Sequence, residues 1–131
     1  MVKILVVDDS APVRRAIQVL LGLRKGWIVC GEAADGLQAI SQAKLLRPRL
    51  IIMDVSMPNM NGLDAAEIIL RELPEYRILI ISQNEPAVVR QQGAEARAHG
   101  FVEKSNIQRD LIAGIECILL RDGPPEIEKA S

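Results

Sequence analysis

Aromatic residues are scarce in this chain of 131 residues: only Trp27, Tyr76 and Phe101 carry large rings. A hydrophobic content of 49% must therefore pack as aliphatic side chains. Cysteine is as rare. Cys30 and Cys117 have no metal-ligand spacing and are expected to be reduced, buried thiols without a disulfide. Neither sign of charge dominates. With 16 basic and 17 acidic residues the formal net charge is -1, which excludes the basic footprint of a direct nucleic-acid surface. No apolar run approaches the roughly 20 residues of a membrane span. The first residues enter a strand-like run at once, without the basic start and small-residue cleavage site of a signal peptide. A cytoplasmic protein with no membrane contact is the expectation.

What the chain does have is alternation. Strand-like runs at Val2–Val7, Trp27–Gly31, Leu50–Met53, Tyr76–Ile81 and Phe101–Glu103 are separated by helix-like segments. The first, third and fourth runs are nearly continuous aliphatic stretches, the pattern of strands buried on both faces of a parallel sheet. Ser10 with Pro12, Asp35 with Gln38, Asn61 with Asp64, Pro86, and Ser105 with Gln108 supply start signals for helices 1 to 5. Pro48 and Pro74 punctuate the exits of helices 2 and 3. Helix 5 carries an apolar stripe of Ile107, Leu111, Ile115, Ile118 and Leu119. Helix 4 has few large anchors and an internal Gly93, and is expected to be loosely held. One domain is expected over residues 1–121, with residues 122–131 a disordered tail or the start of a linker.

The chemistry collects at the ends of the strand-like runs. Asp8 and Asp9 close the first, Asp54 the third and Ser82 the fourth; Lys104 follows the fifth. In one parallel sheet these residues meet outside the carboxyl ends of the strands, where open α/β sheets keep their ligands. A strand-end aspartate alone is accounted for as a cap or a turn former. A doublet after one strand with another acid after the third is more than capping requires. Crowded carboxylates resist joint ionisation, and a hard divalent cation such as Mg2+ relieves that conflict. Asp8, Asp9 and Asp54 fit this role. Asp54 is the best nucleophile candidate, because a carboxylate can attack phosphorus to give an aspartyl phosphate. Lys104 supplies a cation for the equatorial oxygens, and Ser82 a hydroxyl for one of them. His99, the single histidine, falls at the end of helix 4 and reads as a surface or packing residue. Arg14 and Arg15 read as a solvated pair.

Ile4-Leu5-Val6-Val7-Asp8-Asp9-Ser10, Met53-Asp54-Val55-Ser56-Met57-Pro58-Asn59-Met60-Asn61-Gly62, Ser82, and Gly100-Phe101-Val102-Glu103-Lys104 together resemble the receiver domain of bacterial two-component response regulators. The resemblance runs from Val2 to about Arg121. It implies a flavodoxin-like, doubly wound five-stranded parallel sheet of order 2-1-3-4-5 in three α/β/α layers. It implies that Asp54 takes a phosphoryl group from a sensor histidine kinase or a phosphotransfer protein. Asp9, Asp54 and the backbone carbonyl of Ser56 would hold Mg2+ directly, and Asp8 mostly through water. Lys104 would pair with the phosphoryl group, Ser82 would move to hydrogen-bond it, and Phe101 would turn inward behind Ser82. A face made of helix 4, strand 5 and helix 5 would then control an output domain or downstream protein, with a homodimer on phosphorylation as a further implied partner. No reaction beyond phosphorylation and dephosphorylation of its own Asp54 is implied.

The chain departs from that pattern where Ser105 stands in place of a frequent cis-proline after Lys104, and where Gln83 stands in place of a small residue after Ser82. Two rival readings remain. One is an Mg2+-dependent phosphatase with an aspartyl-phosphate intermediate; such enzymes carry a second acid two residues after the nucleophile, where this chain has Ser56. The other is a receiver-like binding module that works without phosphorylation.

Overall fold

A computed structural model describes residues 1–83, 91, 94 and 97–122. Five strands, β1 (Val2–Val7), β2 (Trp27–Ala33), β3 (Leu50–Asp54), β4 (Arg77–Ser82) and β5 (Gly100–Glu103), form one sheet. Every described pairing is parallel and the order is β2-β1-β3-β4-β5. Helices α1 (Ala11–Leu21), α2 (Gly36–Leu46) and α3 (Gly62–Glu72) connect successive strands. A 3-10 turn over Lys104–Asn106 leads into the C-terminal helix Ile107–Asp122, the expected helix 5. The expected helix 4, with Pro86 and Gly93, and the tail beyond Asp122 lie outside the described residues.

The aliphatic strands explain the three layers. Side chains alternate across a strand. Leu5, Val7, Ile51, Met53, Ile78 and Ile80 therefore enter one core with Ala39 and Ala43 of α2 and Ala65, Ala66 and Ile69 of α3. Their neighbours Ile4, Val6, Leu50, Ile52, Leu79 and Ile81 enter a second core with Ile17 and Leu21 of α1 and Leu111, Ile115 and Ile118 of the C-terminal helix. Continuous apolar runs are what a sheet covered on both faces requires.

Most helix starts follow the capping expectation. Ser10 Oγ accepts from Val13 N, Asn61 Oδ1 from Asp64 N, and Asp35 Oδ1 from Gln38 N. The Gln38 side chain turns back to Ala34 N, one residue before the cap, so the box is closed one residue early. Ser105 and Gln108 form no capping box. Lys104–Asn106 winds as a 3-10 turn without a side-chain cap, and Asn106 Nδ2 donates to Glu103 Oε2 instead. Among the described residues no peptide bond is cis, including Lys104-Ser105.

Five strand boundaries move, two of them because β3 and β4 each run one residue further than expected, to Asp54 and Ser82. β2 runs to Ala33, because Leu5, Val6 and Val7 continue to pair with Gly31, Glu32 and Ala33. β5 starts one residue early, at Gly100, which pairs with Leu79. β4 begins at Arg77, since Tyr76 turns away and donates its buried hydroxyl to Ala43 O of α2. The thiols also differ from expectation. Both are free, but Cys30 is only half-buried and Cys117 is exposed, on a part of the C-terminal helix away from its buried stripe.

Gly62 holds the site-bearing strand against α3. Its N–H donates to Val55 O at 2.8 Å, and a Cβ at this position would collide with the backbone carbonyl of Asp54. The obstacle is backbone, so no side chain can swing aside. Gly62→Ala is expected to destabilise the protein by about 3 kcal/mol, read from the midpoint of urea unfolding. An unchanged midpoint would show that the α3 entry can shift freely.

Candidate phosphoryl and metal site at the strand ends

The topology gathers the strand-end residues that the sequence singles out. Asp8 follows β1 directly, with its N–H bonded to Ala33 O of β2. Asp54 is the last residue of β3 and pairs with Ile81 of β4. Ser82 ends β4 opposite Glu103 of β5, and Lys104 comes next. Order β2-β1-β3-β4-β5 thus puts β1 and β3 side by side at the middle of the sheet, with their acids at one edge.

Asp8, Asp54 and Ser82 are all buried, whereas Asp9 is exposed. Lys104 reaches in from β5: its Nζ lies 2.8 Å from Asp8 Oδ2 and 3.2 Å from Asp54 Oδ1. One ammonium therefore faces two carboxylates. Asp8 Oδ1 accepts from Ser10 N at 2.8 Å, which joins the acid to the start of α1. Asp8 Oδ2 meets Lys104 as an ion pair, off the direction of a good hydrogen bond. Asp54 Oδ2 is sealed from solvent with no hydrogen-bond partner among the described residues.

This crowding sets the protonation. Burial first, and then the neighbouring Asp8 charge, push Asp54 up to about 6 against the opposing pull of Lys104 and the Ser56 backbone. Burial works to lower the Lys104 pKa, but close contact with Asp8 and the charges of Asp54 and Asp8 outweigh it, and the ammonium is held above its ordinary value.

The donor set suits a hard cation. Carboxylate oxygens of Asp8, Asp9 and Asp54 lie within 4.8 Å of one another. All are oxygens, two of the acids are buried, and one oxygen of Asp54 has no hydrogen-bond partner among the described residues, which is the deficit that an oxygen-seeking divalent ion fills. These residues fit a magnesium ion. Ser56, two residues beyond Asp54, is exposed.

Residues 4–116 match the response regulator receiver domain family. The chain belongs to that family. It is 40% identical over 95 residues to a protein-glutamate methylesterase/protein-glutamine glutaminase of Pyrococcus abyssi (72% of this chain, 24% of the relative). It is 32% identical over 120 residues to the response regulator protein VraR of Staphylococcus aureus (92% of this chain, 49% of the relative). The chain thus spans between about a quarter and about half of the length of these relatives. Among solved structures, the response regulator domain of Thermotoga maritima CheB superposes with a TM-score of 0.85 at 28% identity, covering 95% of this chain and 99% of that one. A LuxR-family two-component response regulator from Aurantimonas gives a TM-score of 0.87 at 31% identity, covering 97% and 92%.

Within this receiver domain several residues lie where sequence reasoning placed them and others do not. Phe101 is half-buried against the α2–α3 core, paired with Ile80. His99 is a packing residue: its Nδ1 accepts from Ile78 N and its own N–H donates to Ile78 O. Arg15 is solvated as expected, but Arg14 is not. Arg14 donates to the Asp8 carbonyl and to Glu32, and its side chain is only 18% exposed. The sequence signal was available in Glu32, a lone acid near the end of the β2 run. Asn59, in the loop after Asp54, adopts φ 71 and donates to Asp35 Oδ2 at the cap of α2. Asparagine tolerates that left-handed backbone better than most residues.

A raised carboxylate pKa has a definite effect on stability. Folded Asp54 holds its proton up to about pH 6, whereas the unfolded value is 3.8. Its contribution is most favourable below pH 4 and is lost as pH rises from 4 to 6. In metal-free protein Asp54→Asn is therefore expected to flatten this part of the stability profile and to raise stability at pH 7.5 by on the order of 2 kcal/mol. Urea unfolding across pH 4–7.5 checks this; parallel profiles for the two proteins would contradict it.

Proposed function

We propose that this receiver domain is a phosphorylation-controlled switch in which Asp54 accepts a phosphoryl group from the phosphohistidine of a sensor histidine kinase or phosphotransfer protein. The observation that carries the reading is the buried Asp54 carboxylate, with one oxygen facing Lys104 at 3.2 Å and the other without a hydrogen-bond partner among the described residues. An ionised Asp54 oxygen forms the bond to phosphorus as the phosphorus–nitrogen bond breaks, and the electron pair leaves on the imidazole nitrogen. With a pKa of about 6, Asp54 is mostly ionised at neutral pH. Asp8, Asp9, Asp54 and the Ser56 carbonyl would hold Mg2+, Asp8 largely through water. When bound, that ion supplies positive charge to the phosphoryl oxygens. Lys104 pairs with one of those oxygens and Ser82 hydrogen-bonds another. Attack of water on phosphorus returns the carboxylate and releases phosphate, so the chemistry is confined to the domain's own Asp54.

Phosphorylation adds roughly -1.5 to -2 charges at this point. Lys104 and Ser82 would follow that charge, and Phe101, on β5 beside Ser82's strand, would turn inward. The consequence is a repacked face of helix 4, strand 5 and helix 5 that docks an output domain or downstream protein, or a second copy as a homodimer. Moving such a face from 1:99 to 99:1 takes about 5.5 kcal/mol of differential stabilisation. A cytoplasmic location suits a kinase partner; among the described residues no helix is long and apolar enough to cross a membrane.

Intact mass after incubation with acetyl phosphate and Mg2+ tests the reading. One phosphoryl group is expected on the wild type, none on Asp54→Asn, and none when the metal is chelated. An adduct that persists in Asp54→Asn would place the acceptor elsewhere, and no adduct in the wild type would favour the phosphorylation-independent module.

A further inference from the structure

Arg14 lies outside the acid pocket yet grips its backbone. One guanidinium nitrogen, Nη1, donates to the carbonyl oxygen of Asp8 at 2.6 Å. Nε donates to Glu32 Oε1 at 2.8 Å. The arginine thus ties α1 to β2 across the end of β1. The carbonyl it holds belongs to the peptide unit that leads into Asp9. On the other side of Asp8, its N–H is held by Ala33 O and its Oδ1 by Ser10 N, so the residue is fixed from three directions. Asp9 differs. It is exposed, and its carboxylate takes its direction from the peptide on which it hangs. Glu32 is a firm anchor: its hydrogen bonds to Arg14 and to Gln18 hold its carboxyl below the usual range, so it remains ionised and keeps the fork of the guanidinium oriented.

We infer that Arg14, clamped by Glu32, is a positioning residue for the divalent-cation site, fixing the Asp8–Asp9 peptide so that the Asp9 carboxylate points at the ion. This rests on the reading that Asp8, Asp9 and Asp54 hold Mg2+. The alternative roles differ in sign. A guanidinium beside an acidic metal site repels a cation, so charge alone makes Mg2+ bind more tightly when Arg14 is removed. A strut that only joins α1 to β2 changes stability and leaves the affinity alone. Only positioning makes Mg2+ bind more weakly when the positive charge is taken away.

The test is Mg2+ titration by calorimetry on the full chain, with urea unfolding of the metal-free proteins alongside. Arg14→Met is expected to raise the Mg2+ Kd about tenfold, the usual cost of losing an outer-shell partner. Glu32→Ala, which keeps the Arg14 charge but frees its fork, is expected to raise it in the same direction. Glu32→Gln, which retains the acceptor, is expected to stay within about twofold of wild type. An unchanged or tighter Kd in Arg14→Met overturns the inference, whatever happens to stability. Should Arg14→Met fail to fold, Glu32→Ala decides against Glu32→Gln, which loses the same charge: a Kd in Glu32→Ala no weaker than in Glu32→Gln overturns the inference. Absence of Mg2+ binding in the wild type would instead overturn the metal reading itself, an outcome distinct from a wild type that binds and variants that match it.

Discussion

Two buried carboxylates face a single ammonium at the carboxyl edge of the sheet, and that imbalance of charge organises what surrounds it. Asp8 and Asp54 end adjacent central strands, and Lys104 enters from the edge strand β5 to meet both. One positive charge offsets one negative charge. Burial, and then the Asp8 charge left over, raise the pKa of Asp54, and among the described residues one of its buried oxygens has no hydrogen-bond partner. A site in this condition has two ways to settle: it can take up a proton, or it can take up a cation. The second leaves Asp54 ionised, the state that the proposed attack on phosphorus requires.

The rest of the fold keeps that conflict in place. Two aliphatic cores clamp the sheet, so the strand ends cannot drift apart to relieve the repulsion. Gly62 lets α3 press on the backbone of Asp54, Ser10 joins the start of α1 to Asp8, and Arg14 holds the Asp8 carbonyl from the side of β2. Each is a contact to the backbone or carboxylate of an acid, made by a residue at or near a helix start. The helices that shield the sheet therefore also aim its acids.

Much of this arrangement was legible in the sequence, for a physical reason. Strands buried on both faces must be apolar throughout, so β1, β3 and β4 announce themselves, and polar residues at their ends stand out sharply. Asp8, Asp9, Asp54, Ser82 and Lys104 were visible on that account, and the segment from Met57 to Gly62 made the family resemblance specific. What escaped was decided by tertiary partners. Tyr76 looks like strand but turns to Ala43, a preference set by a carbonyl 33 residues away. Ser105 and Gln108 look like a capping box, but Asn106 and Glu103 close the turn instead. Arg14 looks like half of a solvated pair, because Asp8 and Glu32 become its partners only when β1 and β2 are paired. Local patterns carry propensity; they do not carry the identity of a partner distant in sequence.

The direct measurement is a carbon-13 NMR titration of the Asp54 carboxyl in metal-free protein, repeated in saturating Mg2+. A pKa near 6 without the ion, shifted well downward with it, is the result predicted for a buried acid with one oxygen unpartnered among the described residues, which a cation completes. An ordinary carboxylate value in the metal-free protein, unmoved by Mg2+, would contradict the account, since Lys104 would then balance the pocket unaided and no deficit would remain for a cation to fill.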